Sequence, residues 1–200
     1  MPERVFQIGF NKCGTRTLHR FFELNGFRAV HWDRGNLAKS LYRNLANGES
    51  LLKGYEHCDA FSDMEHITGE FAFEGYKLFP QLADAFPDAL FLLNTRDRED
   101  WIRSRLAHRD GVYADIWKAL LGVPDEESLT AYWRADWERH HERVQTFFAR
   151  PGLRFLKFDI AQDSPELIAR LFPEQPFDLS TYRVRGRTLT GSTAGGQDRR

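Results

Sequence analysis

A chain of 200 residues with 42% hydrophobic content suits one domain with a real core, and 17 Phe and 5 Trp make that core rich in rings. Formal charge is balanced at -1, which excludes a global electrostatic attraction to nucleic acid or to a membrane surface. No run of about 18 apolar residues is present to span a bilayer, and the first apolar segment, residues 5–10, is shorter than a signal peptide needs, so a cytoplasmic protein is expected.

In chain order, residues 5–9 read as a buried strand ended by Gly9, and residues 15–25 as a helix with Leu18, Phe21 and Phe22 at helical spacing, stopped by Asn25-Gly26. Residues 27–32 suit a second strand. Residues 36–47 suit a helix striped with Leu37, Leu41 and Leu45. A short strand is expected at residues 60–63 and a helix at 77–86, ended by Pro87. Residues 89–94 are apolar at nearly every position, as a parallel strand covered on both faces should be. Helices are expected at 97–108 and 129–148, a last strand at 153–158 and a short helix at 165–172. His140-His141 lies on the longer helix, where adjacent residues do not share a face, and is expected at the surface. From Gly186 the sequence turns to Gly, Ser, Thr and Arg, which predicts a loop and a disordered tail over 186–200 after one domain over 1–185.

Strand and helix alternate, which predicts an α/β fold of three layers: a central parallel sheet with helices on both faces. Ligands of such sheets bind beyond the carboxyl ends of the strands. The segments following Gly9, Val30, Phe61 and Leu93 are therefore the places to seek a site.

The first of these segments is Gly9-Phe10-Asn11-Lys12-Cys13-Gly14-Thr15-Arg16-Thr17, placed between a strand and a helix. A tight loop before a helix N-terminus aims several N–H groups at one point, and the helix dipole adds partial positive charge there. Lys12 adds a full charge, and Thr15 and Thr17 add hydroxyls. The expected ligand is a phosphate-like dianion. Gly9 and Gly14 have the spacing of a nucleoside-triphosphate loop, but that pattern needs Lys-Ser/Thr after the second glycine, and here Thr15-Arg16 stands there. The apolar strand also ends in Asn94-Thr95-Arg96 without a magnesium-binding Asp. The second segment runs from that strand through Arg96 to Ser104, two helical turns on, where a guanidinium fork and a hydroxyl can meet one anion.

With these two windows the chain resembles the sulfotransferase superfamily that uses the donor PAPS (3′-phosphoadenosine-5′-phosphosulfate). Residues 11–18 are similar to that family's 5′-phosphosulfate loop, and the triplet Gly14-Thr15-Arg16 is similar to the heparan sulfate sulfotransferases. The resemblance extends over roughly residues 5–158. It implies that Lys12 contacts the bridging oxygen and sulfuryl group. Cys13 is implied as part of the same nucleotide-binding loop, in which Gly14, Thr15, Arg16 and Thr17 hold the 5′-phosphate. The Arg96-to-Ser104 spacing matches the family's 3′-phosphate site. A late basic loop that closes over the nucleotide is implied at residues 183–188, including Arg187.

Transfer of a sulfuryl group also needs a base at a neighbouring strand end. Asp33, after the second strand, falls near the catalytic Glu of the heparan-type enzymes. Asp63 and His66, after the third, fall where cytosolic sulfotransferases carry a catalytic His. His31 and Glu65 are further candidates. The stripe Tyr132, Trp133, Asp136, Trp137 reads as core, with an acceptor-lining role as the alternative. Cys13 and Cys58 read as free thiols in a reducing compartment, and no Cys or His spacing suits a metal. The implied function is transfer of a sulfuryl group from PAPS, with PAP (the desulfonated nucleotide) as product, to a hydroxyl or amine of a small molecule or carbohydrate. The alternatives are a Mg–ATP phosphotransferase and a nucleotide-binding module without catalysis. No nucleic-acid partner and no membrane span are expected, and neither acceptor identity nor oligomeric state is legible.

Overall fold

The run Leu90–Thr95 is buried at all six positions, because its alternate residues face two different helix layers. Leu90 and Leu92 pack into one apolar cluster, and Phe91 and Leu93 into the other. The computed structural model describes residues 3–183. Its main sheet has five strands in the order β2-β3-β1-β6-β7: β1 (Val5–Gln7), β2 (Ala29–His31), β3 (Ala60–Ser62), β6 (Leu90–Thr95) and β7 (Arg154–Asp159). Every pairing within it is parallel. The three-layer α/β architecture expected from the sequence is the one observed.

The helices α1 (Thr15–Leu24) and α7 (Glu166–Ala169) cover one face through Leu18, Phe21, Phe22 and Ile168. The other face carries α2 (Asn36–Ala46), α3 (Phe79–Ala85), α4 (Arg98–Leu106), α5 (Val112–Leu121) and α6 (Glu126–Phe148). Helix boundaries follow their caps. Asp97 accepts a hydrogen bond from Asp100 N at 2.9 Å and starts α4. Asp125 accepts from Ser128 N at 2.8 Å and starts α6 three residues before its first apolar position.

Three features depart from the sequence expectation. A two-stranded antiparallel hairpin, β4 (Glu65–Ile67) with β5 (Ala72–Glu74), follows β3. Its three-residue strands are too short to show alternation. The helix α5 was not anticipated, although Tyr113, Ile116, Trp117 and Leu120 carry its spacing. His140 and His141 are corrected from surface to interior: they are 1% and 8% exposed. The helix α6 lies deep enough for two adjacent positions to be enclosed by different neighbours, with His140 donating from Nε2 to Ile8 O at 2.7 Å and His141 Nε2 lying 2.9 Å from Thr95 Oγ1. Trp133 and Trp137 are core, their rings tilted against Trp101. Cys13 and Cys58 are free and buried. Arg187 and the predicted tail lie outside the described residues, and among those described no helix is long and apolar enough to cross a membrane.

The sheet has its switch point between β1 and β6, since connections leave toward β3 on one side and β7 on the other. The two strands approach there closely enough that a Cβ on Gly9 would lie 1.9 Å from Asn94 O. Gly9→Ala must therefore push two paired strands apart. Overpacking of this kind costs about 3 kcal/mol or more, so thermal denaturation should show a Tm lower by roughly 6–12 °C.

Candidate active site

A cleft of about 1970 Å³ opens at this switch point. A single small-molecule site occupies about 300–1,000 Å³, so this one has room for two ligands. Lys12, Gly14, Thr15, Arg16 and Thr17 line it from the first loop, and Arg96, Ser104 and His108 from the far side.

The first loop is held by its carbonyls. Ile8 O accepts from His140 Nε2, Asn11 O from Trp101 Nε1 at 3.1 Å, Lys12 O from Arg96 Nη1 at 3.3 Å and Cys13 O from Asn94 Nδ2 at 2.9 Å. Asn94 also accepts from Gly9 N at 3.1 Å through Oδ1, so one buried amide clamps both ends of the loop. With the carbonyls engaged behind it, the loop enters α1 through Gly14 in a left-handed conformation (φ 75°). A Cβ at Gly14 would also meet Ile160 Cγ2 at 2.7 Å. Unlike α4 and α6, α1 has no side-chain cap and no acidic residue in its first turn. Its first N–H groups are thus left for an anion.

Lys12 is half-buried at φ 64°. Burial lowers its pKa first, Asp63 opposes that shift, and Arg16 and Arg96 add to it. Its Nζ lies 3.5 Å from His108 Nδ1. Burial and Lys12 push His108 down to about 4, so a neutral imidazole faces the ammonium. Arg96 is steadied by Lys12 O and by Asp100 at 3.8 Å. Ser104, 7% exposed, lies on the same wall.

Elsewhere in the lining, Asp63 turns into the cleft at φ 54°. Burial raises its pKa above the usual carboxylate range, with Lys12, Arg105 and Arg16 opposing. His31 Nε2 lies 3.5 Å from Asp63 Oδ2, and its Nδ1 3.0 Å from Ser62 Oγ. Burial and Arg16 hold His31 down at about 4, so it stays neutral beside Asp63. Glu65 is more enclosed, and its pKa is raised first by burial and then by Asp63. Behind Glu65, Arg105 is fully buried in a cage of rings, its guanidinium carbon 4.7 Å from Trp133 and 4.8 Å from Trp101. Arg105 donates to the Tyr113 hydroxyl at 2.7 Å, which donates to Glu65 Oε1 at 3.1 Å.

The structure thus brings Lys12, Gly14, Thr15, Arg16, Thr17, Arg96, Ser104, His31, Asp63, Glu65 and His66 to one cleft. Two expected residues fall elsewhere. Asp33 is exposed, accepts from the Tyr55 hydroxyl at 2.6 Å and is not part of the lining, because the turn after β2 carries it outward. The Cys13 thiol is buried in the core, and burial raises its pKa, so only the backbone of Cys13 belongs to the loop. Sequence reading missed His108, Asn11, Asn94 as a clamp, and the Arg105–Tyr113 pair. Only Asn94 had a visible signal, as a lone amide ending an apolar strand.

An uncapped helix N-terminus with a lysine-bearing loop, an arginine at the end of the adjacent strand and a carboxylate opposite make an α/β cleft suited to an anionic ligand. Over residues 4–134, more than half of the chain, the sequence matches the family described as the sulfotransferase domain, and the protein belongs to it. No curated protein matches the chain.

Asn94→Ala removes both clamping bonds and leaves Gly9 N and Cys13 O buried without their partner. Each such loss costs about 1–3 kcal/mol. Denaturant unfolding should show a stability loss in that range or larger, and hydrogen exchange should show faster amides over residues 9–17 specifically.

Proposed function

We propose that the protein transfers a sulfuryl group from PAPS to a hydroxyl or amine acceptor. The observation that carries this reading is the orientation of the first loop: its carbonyls are tied back, its helix is uncapped, and Lys12, Arg96 and Ser104 face the same cleft. The first amides of α1 with Thr15, Arg16 and Thr17 take the 5′-phosphate, and Arg96 with Ser104 takes the 3′-phosphate. The acceptor attacks sulfur, a new bond to sulfur forms, and the bond from sulfur to the 5′-phosphate oxygen breaks. That oxygen leaves with the electron pair, where the Lys12 ammonium stabilises it. The acceptor proton passes to Asp63, which lines the cleft near Lys12 and whose carboxyl group burial makes more basic than usual. His31 Nε2 lies 3.5 Å from Asp63 Oδ2. The Mg–ATP reading has less support: the strand-end position that such an enzyme reserves for a metal-binding acid is Asn94, whose amide is spent on the loop. Two buried free thiols suit a cytoplasmic setting.

Steady-state release of PAP, measured against a panel of hydroxyl and amine acceptors, tests the reading. Lys12→Ala should lower turnover by about 100-fold or more while PAP affinity falls far less, because its charge matters most as the leaving oxygen develops. Asp63→Asn should lower turnover by about 100-fold. A base must be deprotonated, so the wild-type rate should rise with pH, along a limb centred above the ordinary Asp value of about 4. Equal loss of PAP affinity and turnover in Lys12→Ala, or an unchanged Asp63→Asn, contradicts these roles.

A further inference from the structure

A buried hydrogen bond joins the loop that carries Lys12 to the start of β4: Asn11 Nδ2 donates to Glu65 Oε1 at 2.8 Å. The same Oε1 accepts from the Tyr113 hydroxyl at 3.1 Å, and that hydroxyl accepts from Arg105 Nη2 at 2.7 Å. Asn11 is thus braced by three hydrogen bonds in series, which run through Glu65 and α5 to a guanidinium caged on α4. Its carbonyl is held separately, by Trp101 Nε1 at 3.1 Å. Lys12 comes next in the chain at φ 64°, a left-handed conformation that a residue with a Cβ keeps only where its surroundings hold it. Glu65 also reaches the other group of the proposed reaction. Its backbone N–H donates to Asp63 O at 2.8 Å, and Asp63 too is left-handed, at φ 54°. One residue therefore ties the loop of Lys12 to the turn of Asp63.

We infer that Glu65 is a positioning residue: through Asn11 it fixes the left-handed backbone of Lys12, and through its own backbone it fixes the turn of Asp63, so that the leaving-group side and the base side keep one separation. The inference rests on the sulfotransferase reading of the same cleft. Glu65 needs no charge for this. Oε1 accepts both hydrogen bonds whether or not the other oxygen carries a proton, and burial favours the protonated form. The amide oxygen of a glutamine accepts the same two bonds. An apolar side chain accepts neither and leaves Asn11 Nδ2 and the Tyr113 hydroxyl proton without an acceptor. A brace that was only structural would change stability alone. A positioning brace changes the rate of the folded, nucleotide-bound protein.

The test uses the full chain. Calorimetry gives PAP affinity, and turnover is PAP released from PAPS with whichever hydroxyl or amine acceptor of the panel gives the fastest wild-type rate. Glu65→Met should lower kcat by about 10–100-fold, the effect of moving a reacting group by about 1 Å. PAP affinity should change by less than about threefold, because other residues hold the phosphates. Glu65→Gln should recover kcat to within about threefold of the wild type. Asn11→Ala should match Glu65→Met, and the double variant should be no slower than either, because both break one link. Tyr113→Phe should lower kcat by a smaller factor, and it takes the place of Glu65→Met if that variant does not fold. An unchanged kcat in the apolar variant or its replacement, an equal fall in PAP affinity and kcat, additive losses in the double variant, or a Glu65→Gln as slow as Glu65→Met overturns the role. A wild type that fails to bind PAP or to release it from PAPS overturns the sulfotransferase reading beneath it, whereas a competent wild type with an indifferent Glu65→Met overturns only the role given to Glu65.

Discussion

Four carbonyls of the loop between β1 and α1 are engaged from behind, and the working geometry of the protein follows from that. A loop of this length has no internal ladder to satisfy its own polar groups. Here Asn94, Arg96, Trp101 and His140 supply donors from β6, from the segment following it, from α4 and from α6. Once the carbonyls are fixed on the protein side, the N–H groups that start α1 are left facing the cleft, with no acidic cap to neutralise them. The clamp also makes the two phosphate-facing windows one object, since Arg96 holds the Lys12 carbonyl and Asn94 holds the Cys13 carbonyl. Anion binding and loop stability are therefore coupled.

The opposite wall of the cleft obeys a different constraint. Asp63 and Glu65 are carboxyl groups enclosed near one another, which raises the pKa of both. Lys12 and Arg105 keep that arrangement tolerable from two sides. Lys12 is on the cleft side. Arg105 is on the core side, where five aromatic rings surround its charge and, among the described residues, Tyr113 alone takes a hydrogen bond from it. A cation in such a cage cannot relocate, so it biases the acceptor side permanently and without competing for substrate. The cleft thus has cationic groups on one wall and a pair of carboxyl groups on the other.

Much of this was legible in the sequence, and the limits have physical causes. The parallel sheet was readable because Leu90–Thr95 is apolar on both faces, and the loop because Gly9, Lys12 and Gly14 sit between a strand and a helix. Arg96 and Ser104 were readable because one follows the end of the apolar strand and the other lies on the helix that comes next. Which of the two acidic residues enters the cleft was not readable. Asp33 and Asp63 follow neighbouring strands and differ only in which way a left-handed turn throws the side chain, outward to Tyr55 or inward toward Lys12. The histidine pair was misplaced because helical periodicity describes one partner surface, and α6 has two. His108 and Arg105 escaped notice because their roles come from contacts across the fold, with Lys12 96 residues away and with rings on three helices.

The central claim is that the clamped loop and Arg96 together form a site for an adenosine nucleotide phosphorylated at both the 5′ and 3′ positions. Calorimetric titration of PAP and of adenosine 5′-phosphate, without metal, against the wild type and Arg96→Ala tests it most directly. Leaving a half-buried guanidinium without its phosphate costs on the order of 2–5 kcal/mol, so the wild type should prefer PAP by well over about tenfold. In Arg96→Ala the preference should collapse through weaker PAP binding, with adenosine 5′-phosphate nearly unchanged. Equal affinity of the wild type for the two nucleotides would contradict the account.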